Sequence, residues 1–390
     1  MKKTGFGLLA ALGMKMASAA IIGNAASQAL VAEGDALGAH GKFQAAVDKY
    51  SAAAKADPAA SAPLSALAAL LYRLSTGAAP EGVPKLRQQS EGMAQAALDI
   101  DGKDPVALEV QRMLADAKGP PLHQANPEAA ALLEAGEVLF AQRQHAQALE
   151  KYLKAAQADP ATSTPLMFAG DCYYVQEKWA EAEQLFAQAV RLEPLNAQAW
   201  RYLADALGQQ GKLSAAEAAL LSGIAAQPSQ LPTWTKLASL RAQQGAPLQP
   251  LQLVRKARSR IDTATGKGVV EVESGGPQSP DMTVWIALAV SEANHMVEQH
   301  QGKSTESAFA MQLAAWADAM RVADGLGAGE GGELTSPSLK AMRMLAQAGQ
   351  LEPAILLLQY KEAYRADLER WKAEHPNGVK KFVDMYGLRP

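Results

Sequence analysis

The sequence contains one cysteine, Cys172, so it forms no intramolecular disulfide and no zinc site built from several cysteines. Its 37 lysine and arginine residues face 40 acidic residues, and the net charge of -3 lacks the basic surplus typical of nucleic-acid-binding proteins. No uninterrupted stretch of about 20 apolar residues predicts a transmembrane helix. A nucleic-acid partner, a disulfide framework and a membrane span are therefore not expected.

Aromatic residues are also scarce, at 6% of the chain, whereas apolar residues as a whole make up 48%. Much of that apolar content is alanine, the strongest helix former, and β-branched residues are few. With 390 residues, the chain is long enough for two or three domains or for one elongated array. The composition predicts a helical protein.

The N-terminus has the three parts of a secretory signal peptide. Two lysines precede the apolar residues 5–14, and an Ala-Ser-Ala tripeptide ends at Ala19. We therefore expect residues 1–19 to be removed and the mature protein to be periplasmic or secreted. The alternative is a cytoplasmic protein in which this segment is an ordinary helical lead-in.

A repeat runs through the chain. Residues 48–58 and 150–160 are nearly the same segment, and from the second of them a step of 34 residues keeps prolines, small residues and bulky residues in phase. The prolines are Pro160, Pro194 and Pro228; the small residues are Gly136, Gly170 and Ala204, and Ala148, Ala182 and Ala216; the bulky residues include Leu132, Leu166, Trp200 and Trp234, and Tyr152, Phe186 and Leu220.

This pattern is what pairs of antiparallel helices require. Small residues let two helices approach closely, and bulky residues one turn away fill the space between neighbouring pairs. Each proline ends a second helix because it has no N–H to donate to the helical ladder. A turn such as Gln210-Gly211-Lys212 reverses the chain within a pair.

The register resembles the tetratricopeptide repeat family, whose unit is a helix-turn-helix of 34 residues. The resemblance covers residues 27–60, 129–162, 163–196 and 197–230. It implies an all-α solenoid of helical hairpins wound into a right-handed superhelix, with a less regular helical C-terminal region. The expected segments are 27–118 for an N-terminal repeat segment, 119–127 for a linker, 128–262 for the main array, 263–280 for a loop and 281–390 for the C-terminal region.

Some segments depart from the family pattern. Residues 76–84 lengthen a turn, and Pro250 occupies a place where a small helical residue belongs. We expect the last second helix of the array to begin at or after Pro250. Residues 261–280 are expected to form a loop with at most a short hairpin. Four further helices are expected near 281–300, 304–325, 336–348 and 352–374.

The motifs with chemical potential are weak. Residues 327–332 match G-x-G-x-x-G, but a helix precedes them and Glu330 would repel phosphate, so a loop is expected. His295 and His300 are five residues apart, which does not place two metal ligands on one helix face. Cys172 is expected to be buried and unreactive. The sequence predicts no catalytic, cofactor-binding or metal-binding residue.

The first helices of the units provide the remaining candidate site, because in the family they line a concave groove. Acids recur there at Asp35, Glu137, Asp171 and Asp205, and the last three are expected in a column about 10 Å apart. The alternative is that these positions are polar because they are solvated. The basic clamp with which some family members hold carboxylates is absent. The predicted partner-binding residues are Leu133, Glu137, Phe140, Met167, Asp171, Tyr174, Arg201 and Asp205.

The resemblance implies a noncatalytic interaction or scaffold protein that binds another protein or peptide, which the sequence does not identify. The signal-peptide pattern leads us to expect this protein in the cell envelope. Two alternatives stay open. One is an enzyme with its site in residues 263–390, and the other is a cytoplasmic scaffold. The oligomeric state is not encoded in any motif.

Overall fold

The computed structural model describes residues 23–76, 82–118, 122–251, 253, 255–261, 266–272, 279–327 and 333–390. The predicted signal peptide lies outside the described residues, as does most of the glycine-rich motif at 327–332. Chain contacts divide the protein into two units, Met1–Lys118 and Gly119–Pro390. None of the helices within the described ranges combines the length and the apolar character needed to span a bilayer.

The regular elements among the described residues of the first unit are all helices. Two helical hairpins, α1 with α2 and α3 with α4, are followed by α5, which packs on both α3 and α4. Buried alanines such as Ala46, Ala68 and Ala94 allow these helices to approach closely. The bounds are Ala25–Ala39 (α1), Phe43–Ala56 (α2), Ala62–Thr76 (α3), Val83–Ile100 (α4) and Pro105–Lys118 (α5).

The second unit begins with three complete hairpins and the first helix of a fourth. In each hairpin the two helices pack on each other, and the second helix also packs on the first helix of the next unit. The predicted all-α repeat fold is confirmed. The bounds are Pro127–Ala141 (α6), His145–Ala158 (α7), Thr164–Tyr174 (α8), Trp179–Leu192 (α9), Ala197–Gln209 (α10), Leu213–Ala226 (α11) and Leu231–Gln243 (α12).

One turn geometry joins the two helices of every hairpin in this array. A residue with positive φ stands at a fixed place in the repeat, occupied by Arg143 (φ 59°), Glu177 (φ 60°) and Gly211 (φ 72°). The amide one residue later donates to a carbonyl five residues back, as Gln144 N does to Leu139 O at 2.9 Å. This is the Schellman closure of a helix C-terminus, and it reverses the chain in a few residues.

The predicted second helix after Pro250 is wrong. Its place in the sequence holds two strands instead, and β1 pairs in parallel with a strand at the end of the chain. Gln249 and Leu251 donate the ladder bonds, both at 2.6 Å, so the proline between them needs no N–H. The strands are Gln249–Pro250 (β1), Ala257–Ile261 (β2), Gly268–Val272 (β3) and Leu388–Arg389 (β4), with β2 and β3 forming an antiparallel hairpin.

The C-terminal helices follow the predicted order, but the last of them is broken. The helix expected over 352–374 ends at Leu358, and a 3₁₀ turn at Glu362–Tyr364 leads into the next helix. The hairpin of β2 and β3 packs on α13. The bounds are Pro280–His300 (α13), Ala308–Gly327 (α14), Pro337–Gln347 (α15), Leu351–Leu358 (α16), Arg365–Glu374 (α17) and Gly378–Tyr386 (α18).

The end of the chain covers the end of the repeat array. Helix α18 packs on α11, and one hydrophobic core extends from Met167 in α8 to Leu388 in β4. Lys372 donates to the Ala225 carbonyl at 3.3 Å, and Arg365 donates to the Ala226 carbonyl and the Gln227 side chain. These contacts take the place of the second helix that the fourth repeat of the array lacks.

Candidate functional site

The candidate site is the row of first helices in the second unit, in which α8 contacts α10 and α10 contacts α12. We use the name first-helix surface for the side chains of these helices and of α6 at the predicted groove positions. The name also includes one further repeat position, which is occupied by Glu134, Phe168, Tyr202 and Lys236. Because the repeat is 34 residues long, equivalent side chains recur on each helix of the row.

The position of the acids on this surface is set by a glycine and a ring. A Cβ added to Gly136 would lie 2.3 Å from Cε1 of Tyr152, and one added to Gly170 would lie 2.4 Å from Cε1 of Phe186. Only glycine lets the ring of the second helix lie flat against the first helix at this place. Both rings therefore pack at the same place, against the residue that precedes the acid.

Where the ring belongs to a tyrosine, its hydroxyl binds that acid. Tyr152 Oη donates to Glu137 Oε1 at 2.5 Å. The first unit has the same pair, in which Tyr50 Oη donates to Asp35 Oδ1 at 2.7 Å. Burial raises the pKa of Asp35, and this hydrogen bond opposes the rise.

Asp171 lacks this partner because Phe186 has no hydroxyl. Among the described residues no hydrogen bond or ion pair to its carboxylate is found, although the side chain is half-buried. Burial, followed by the charges of Glu137 and Asp205, raises the pKa of Asp171 to about 7. Its carboxyl group is therefore the unusual acid of the column.

The third acid is neutralised by a cation from the next unit. Lys236 Nζ lies 2.6 Å from Asp205 Oδ1 and 2.8 Å from Oδ2. On the same helix, Arg201 Nη1 donates to Thr233 Oγ1 at 3.1 Å, and burial lowers the pKa of the Arg201 guanidinium. The surface thus changes from anionic at Glu137 and Asp171 to mixed charge at Arg201 and Lys236.

Seven of the eight predicted site residues are at least partly accessible, and three of these are aromatic or apolar. Leu133 is half-buried; Phe140 packs edge-on against His145 with ring centroids 4.9 Å apart, and Tyr174 packs against Trp179 at 4.7 Å. Gln209 donates to the Tyr174 hydroxyl at 3.4 Å, which links α8 to α10.

The assignment of Met167 to an exposed groove position is wrong. This side chain is 3% exposed, and its sulfur accepts a hydrogen bond from Asn196 Nδ2 at 3.3 Å. Asn196 caps α10 and also donates to Ser163 Oγ at 2.9 Å, so the start of α10 covers Met167. Methionine fills this gap as a core residue.

Sequence reasoning missed three surface residues, Phe168, Tyr202 and Lys236. They share one place in the repeat, one residue after the position occupied by Met167 and Arg201. Phe168 packs on Tyr152 with ring centroids 5.4 Å apart, and Tyr202 packs on Phe186 at 5.5 Å. The 34-residue step from one ring to the next was the signal that could have identified them.

The described residues contain no group of three or more His, Cys, Asp or Glu side chains arranged to hold a metal ion. Cys172 is buried, and burial raises the pKa of its thiol to about 12, which keeps it protonated and unreactive. His295 Nδ1 lies 3.2 Å from Glu306 Oε2, in a pair between a helix and the segment before α14.

Polar residues of the C-terminal region join its structural elements. Glu292 accepts from Arg255 at 2.8 Å and from Ser259 at 2.7 Å, which ties the β2 region to α13. Asp281 accepts from Thr335 and Ser336 in the segment before α15. These contacts hold neighbouring elements of the C-terminal region together.

The tetratricopeptide repeat family profile matches residues 122–162 and 169–230. No curated protein matches the chain. Similar solved structures include the TPR2AB domain of yeast Sti1 in complex with pHSP90 (14% identity, 57% of this chain and 100% of that chain, TM-score 0.29). Another is the Sgt2 TPR domain from Aspergillus fumigatus (21% identity, 37% of this chain and 99% of that chain, TM-score 0.27). A third is a thermophilic TPR protein from Thermus thermophilus (19% identity, 56% of this chain and 100% of that chain, TM-score 0.25).

Proposed function

Because residues 122–162 and 169–230 are tetratricopeptide repeats, we propose that this protein is a noncatalytic interaction protein that binds a partner protein or peptide on its first-helix surface. The observation that carries the proposal is the ordered row of half-buried aromatic and charged side chains on α8 and α10. Tyr174 and Tyr202 offer large, stiff contact areas, and residues of this kind dominate binding energies.

The arrangement suits an extended partner. Neighbouring first helices repeat their side chains at a regular interval, so successive residues of a bound segment meet equivalent positions. Acidic groups at one end and Arg201 and Lys236 at the other give the surface a charge order, which favours one direction of binding. The partner segment is expected to combine apolar anchors with basic or polar side chains.

The enzyme alternative places a site in residues 263–390. In the described part of that region Glu292, Asp281 and Asp318 are engaged by neighbouring side chains or backbone, which is how structural acids behave. A binding function for the repeats explains more of the molecule, because it accounts for the aromatic and charged residues that the repeat leaves accessible.

A site-specific photo-crosslinker distinguishes the two functions. The full chain is expressed in its native host with the crosslinker at Tyr174, at Leu153 on the second helix α7, or at Met385 in α18. We expect Tyr174 to yield a specific crosslinked protein that the other two sites do not. Crosslinking to the same protein from Met385 alone would contradict the assignment.

The binding energy is tested with the purified partner. Tyr174→Ala should weaken binding by about 1–2 kcal/mol, mainly through faster dissociation, because a buried aromatic contact is lost. Leu153→Ala on α7 is the matched control and should leave the affinity unchanged. Equal affinities for wild type and Tyr174→Ala would argue against the first-helix surface.

We further propose that the protein acts in the cell envelope, with residues 1–19 as an export signal. The support is the basic, apolar and Ala-Ser-Ala order of that segment. N-terminal sequencing of the protein from its native host should find a mature chain starting near Ala20. An intact Met1 in the cytoplasmic fraction would rule out this localisation.

A further inference from the structure

Asp171 occupies the repeat position at which the carboxylates of Asp35 and Glu137 each accept a hydrogen bond, but its own repeat supplies no donor. In the units of Asp35 and Glu137 the donor is a tyrosine hydroxyl. The Phe186 ring takes the same pose, since its Cζ would lie 2.9 Å from a Cβ on Gly170, compared with 3.0 Å for Tyr152 and Gly136. The ring is present, but the donor is missing.

The groups around Asp171 are anionic or neutral. Burial raises the pKa of Asp171, and the charges of Glu137 on α6 and Asp205 on α10 add to the rise. Asp205 is itself bound to Lys236. Burial is the main cause that raises the pKa of the Tyr152 phenol on α7, of the Tyr202 phenol on α10 and of the adjacent Cys172 thiol, and the charge of Asp171 contributes to each rise. Phe186 on α9 adds no charge. A cation arriving here would gain from two nearby carboxylates and displace no existing ion pair of Asp171.

The rings beside this carboxylate select the shape of the cation. Phe168 lies on the same helix, one turn before Cys172, and Tyr202 lies on α10 against Phe186. An aliphatic stem packs well along such rings while its charged end reaches an acid, and the ring faces attract the charge itself. Lysine and arginine side chains have this form.

We propose that Asp171 is the subsite for a lysine or arginine side chain of the partner peptide, which supplies the donor that Phe186 lacks. The proposal rests on the function proposed above and names the chemistry of one position in the partner. The proposal predicts that binding releases a proton. In part of the free molecules the Asp171 carboxyl group is protonated, and it gives its proton to the buffer when the ion pair forms.

The probe is a peptide selected on the full-length protein from a displayed random library of 12-residue sequences. It is synthesised with blocked ends, together with a copy in which the lysine or arginine is replaced by norleucine. Calorimetry at pH 7 in two buffers with different ionisation enthalpies gives the affinity and the protons released. Three variants are compared with wild type: Asp171→Asn, Phe186→Tyr and the control Glu181→Gln, which removes an exposed acid from α9.

We expect the cationic peptide to bind wild type and Glu181→Gln at least about tenfold more tightly than its norleucine copy. About half a proton should be released per complex at pH 7. Asp171→Asn should remove both the preference and the proton release. Phe186→Tyr should reduce the proton release, because its hydroxyl stabilises the carboxylate before the peptide arrives.

Two failures are distinguishable. If peptides bind in a way that Tyr174→Ala weakens, but the cation preference is the same in Asp171→Asn, the subsite is wrong and the binding surface is not. If no peptide binds, or if Tyr174→Ala leaves binding unchanged, the proposed function fails and the subsite fails with it.

Discussion

At the scale of single residues, Asp171 has a consequence for stability as well as for binding. Its pKa is raised from 3.8 to about 7 by burial and by two neighbouring acids. Between these two pH values the folded protein holds a proton that the unfolded chain has released. The free energy of unfolding contributed by this group therefore falls as the pH rises through that window, and the loss is complete above it.

Solvent screening of the partly accessible Asp171 side chain reduces the free energy that the full pKa shift would represent. We therefore expect Asp171→Asn to stabilise the protein by on the order of 2 kcal/mol at pH 8 and to have almost no effect at pH 4. Denaturant unfolding at the two pH values measures the difference. Glu181→Gln serves as the control, because its exposed carboxylate should show no such dependence. A stabilisation of Asp171→Asn that is independent of pH would contradict the assignment of the raised pKa to this carboxyl group.

The turn position with positive φ gives a second residue-scale prediction. Glu177 has a φ of 60° at the place where Gly211 has 72°, and a side chain costs about 1–2 kcal/mol in this left-handed conformation. Glu177→Gly should stabilise the protein by about 1 kcal/mol, measured by denaturant unfolding. Glu177→Ala keeps a Cβ and should give no gain. An equal response to both substitutions would show that the turn is not strained.

The sequence predicted the acids of the column but not their different states. A 34-residue step is enough to align Glu137, Asp171 and Asp205. Whether each acid has a partner depends on a residue 15 positions later, a tyrosine in one unit and Phe186 in the next, and on Lys236 from a following unit. Such contacts join different helices, so spacing along a single helix does not reveal them.

At the scale of the helical hairpin, a small residue and a bulky residue must change together. Gly136 and Gly170 face the rings of Tyr152 and Phe186. The third repeat of the array has Ala204 with Leu220 at the equivalent positions. Leucine leaves room for a Cβ that a flat ring excludes. The two solutions fit the same pair of helices.

Gly136→Ala should therefore destabilise the protein by about 1–3 kcal/mol, because its Cβ would overlap the Tyr152 ring. Combined with Tyr152→Leu, the same substitution should cost much less than in the wild-type background. A double-mutant cycle by denaturant unfolding should give a favourable coupling of at least about 1 kcal/mol. Additive effects would mean that the glycine and the ring do not constrain each other.

The hairpins were predictable because their signals are local and repeated, namely small residues, turn residues and terminal prolines in one phase. Strand β1 was not predictable, since it pairs with residues as distant in sequence as Leu388. Residues 261–280 were expected to form at most a short hairpin, and β3 lies there, but its partner β2 begins earlier, at Ala257. Pro250 correctly marked the break in the pattern. What replaces the helix is decided by contacts remote in sequence.

At the scale of the whole second unit, the C-terminal helices complete the repeat array. Phe382 in α18 is 2% exposed and belongs to the core that includes the second helix of the third repeat, α11. Arg241 in α12 pairs with both Glu217 and Asp384, which fastens three helices together. The less regular helical C-terminal region therefore shares its core with the repeats.

Phe382→Ala should destabilise the second unit by about 3–5 kcal/mol, because it removes a fully buried ring. Amide hydrogen exchange measured by mass spectrometry should show faster exchange in α11 and α12 than in α6. Met385→Ala, on a side chain that is 71% exposed, should change neither the stability nor the exchange. Faster amide exchange confined to α18 would mean that the packing of α18 does not stabilise the repeat helices.

The same closure gives the order of synthesis a physical meaning. Helix α11 leaves the ribosome long before α18 and β4, which follow it far along the chain. Until then, the apolar side of α11 that faces α18 has no permanent neighbour, and the nascent chain exposes this surface while the residues between α11 and α18 are made. A chain that a premature stop codon ends before α18 would keep this surface exposed for its lifetime, and chaperones and proteases would recognise it.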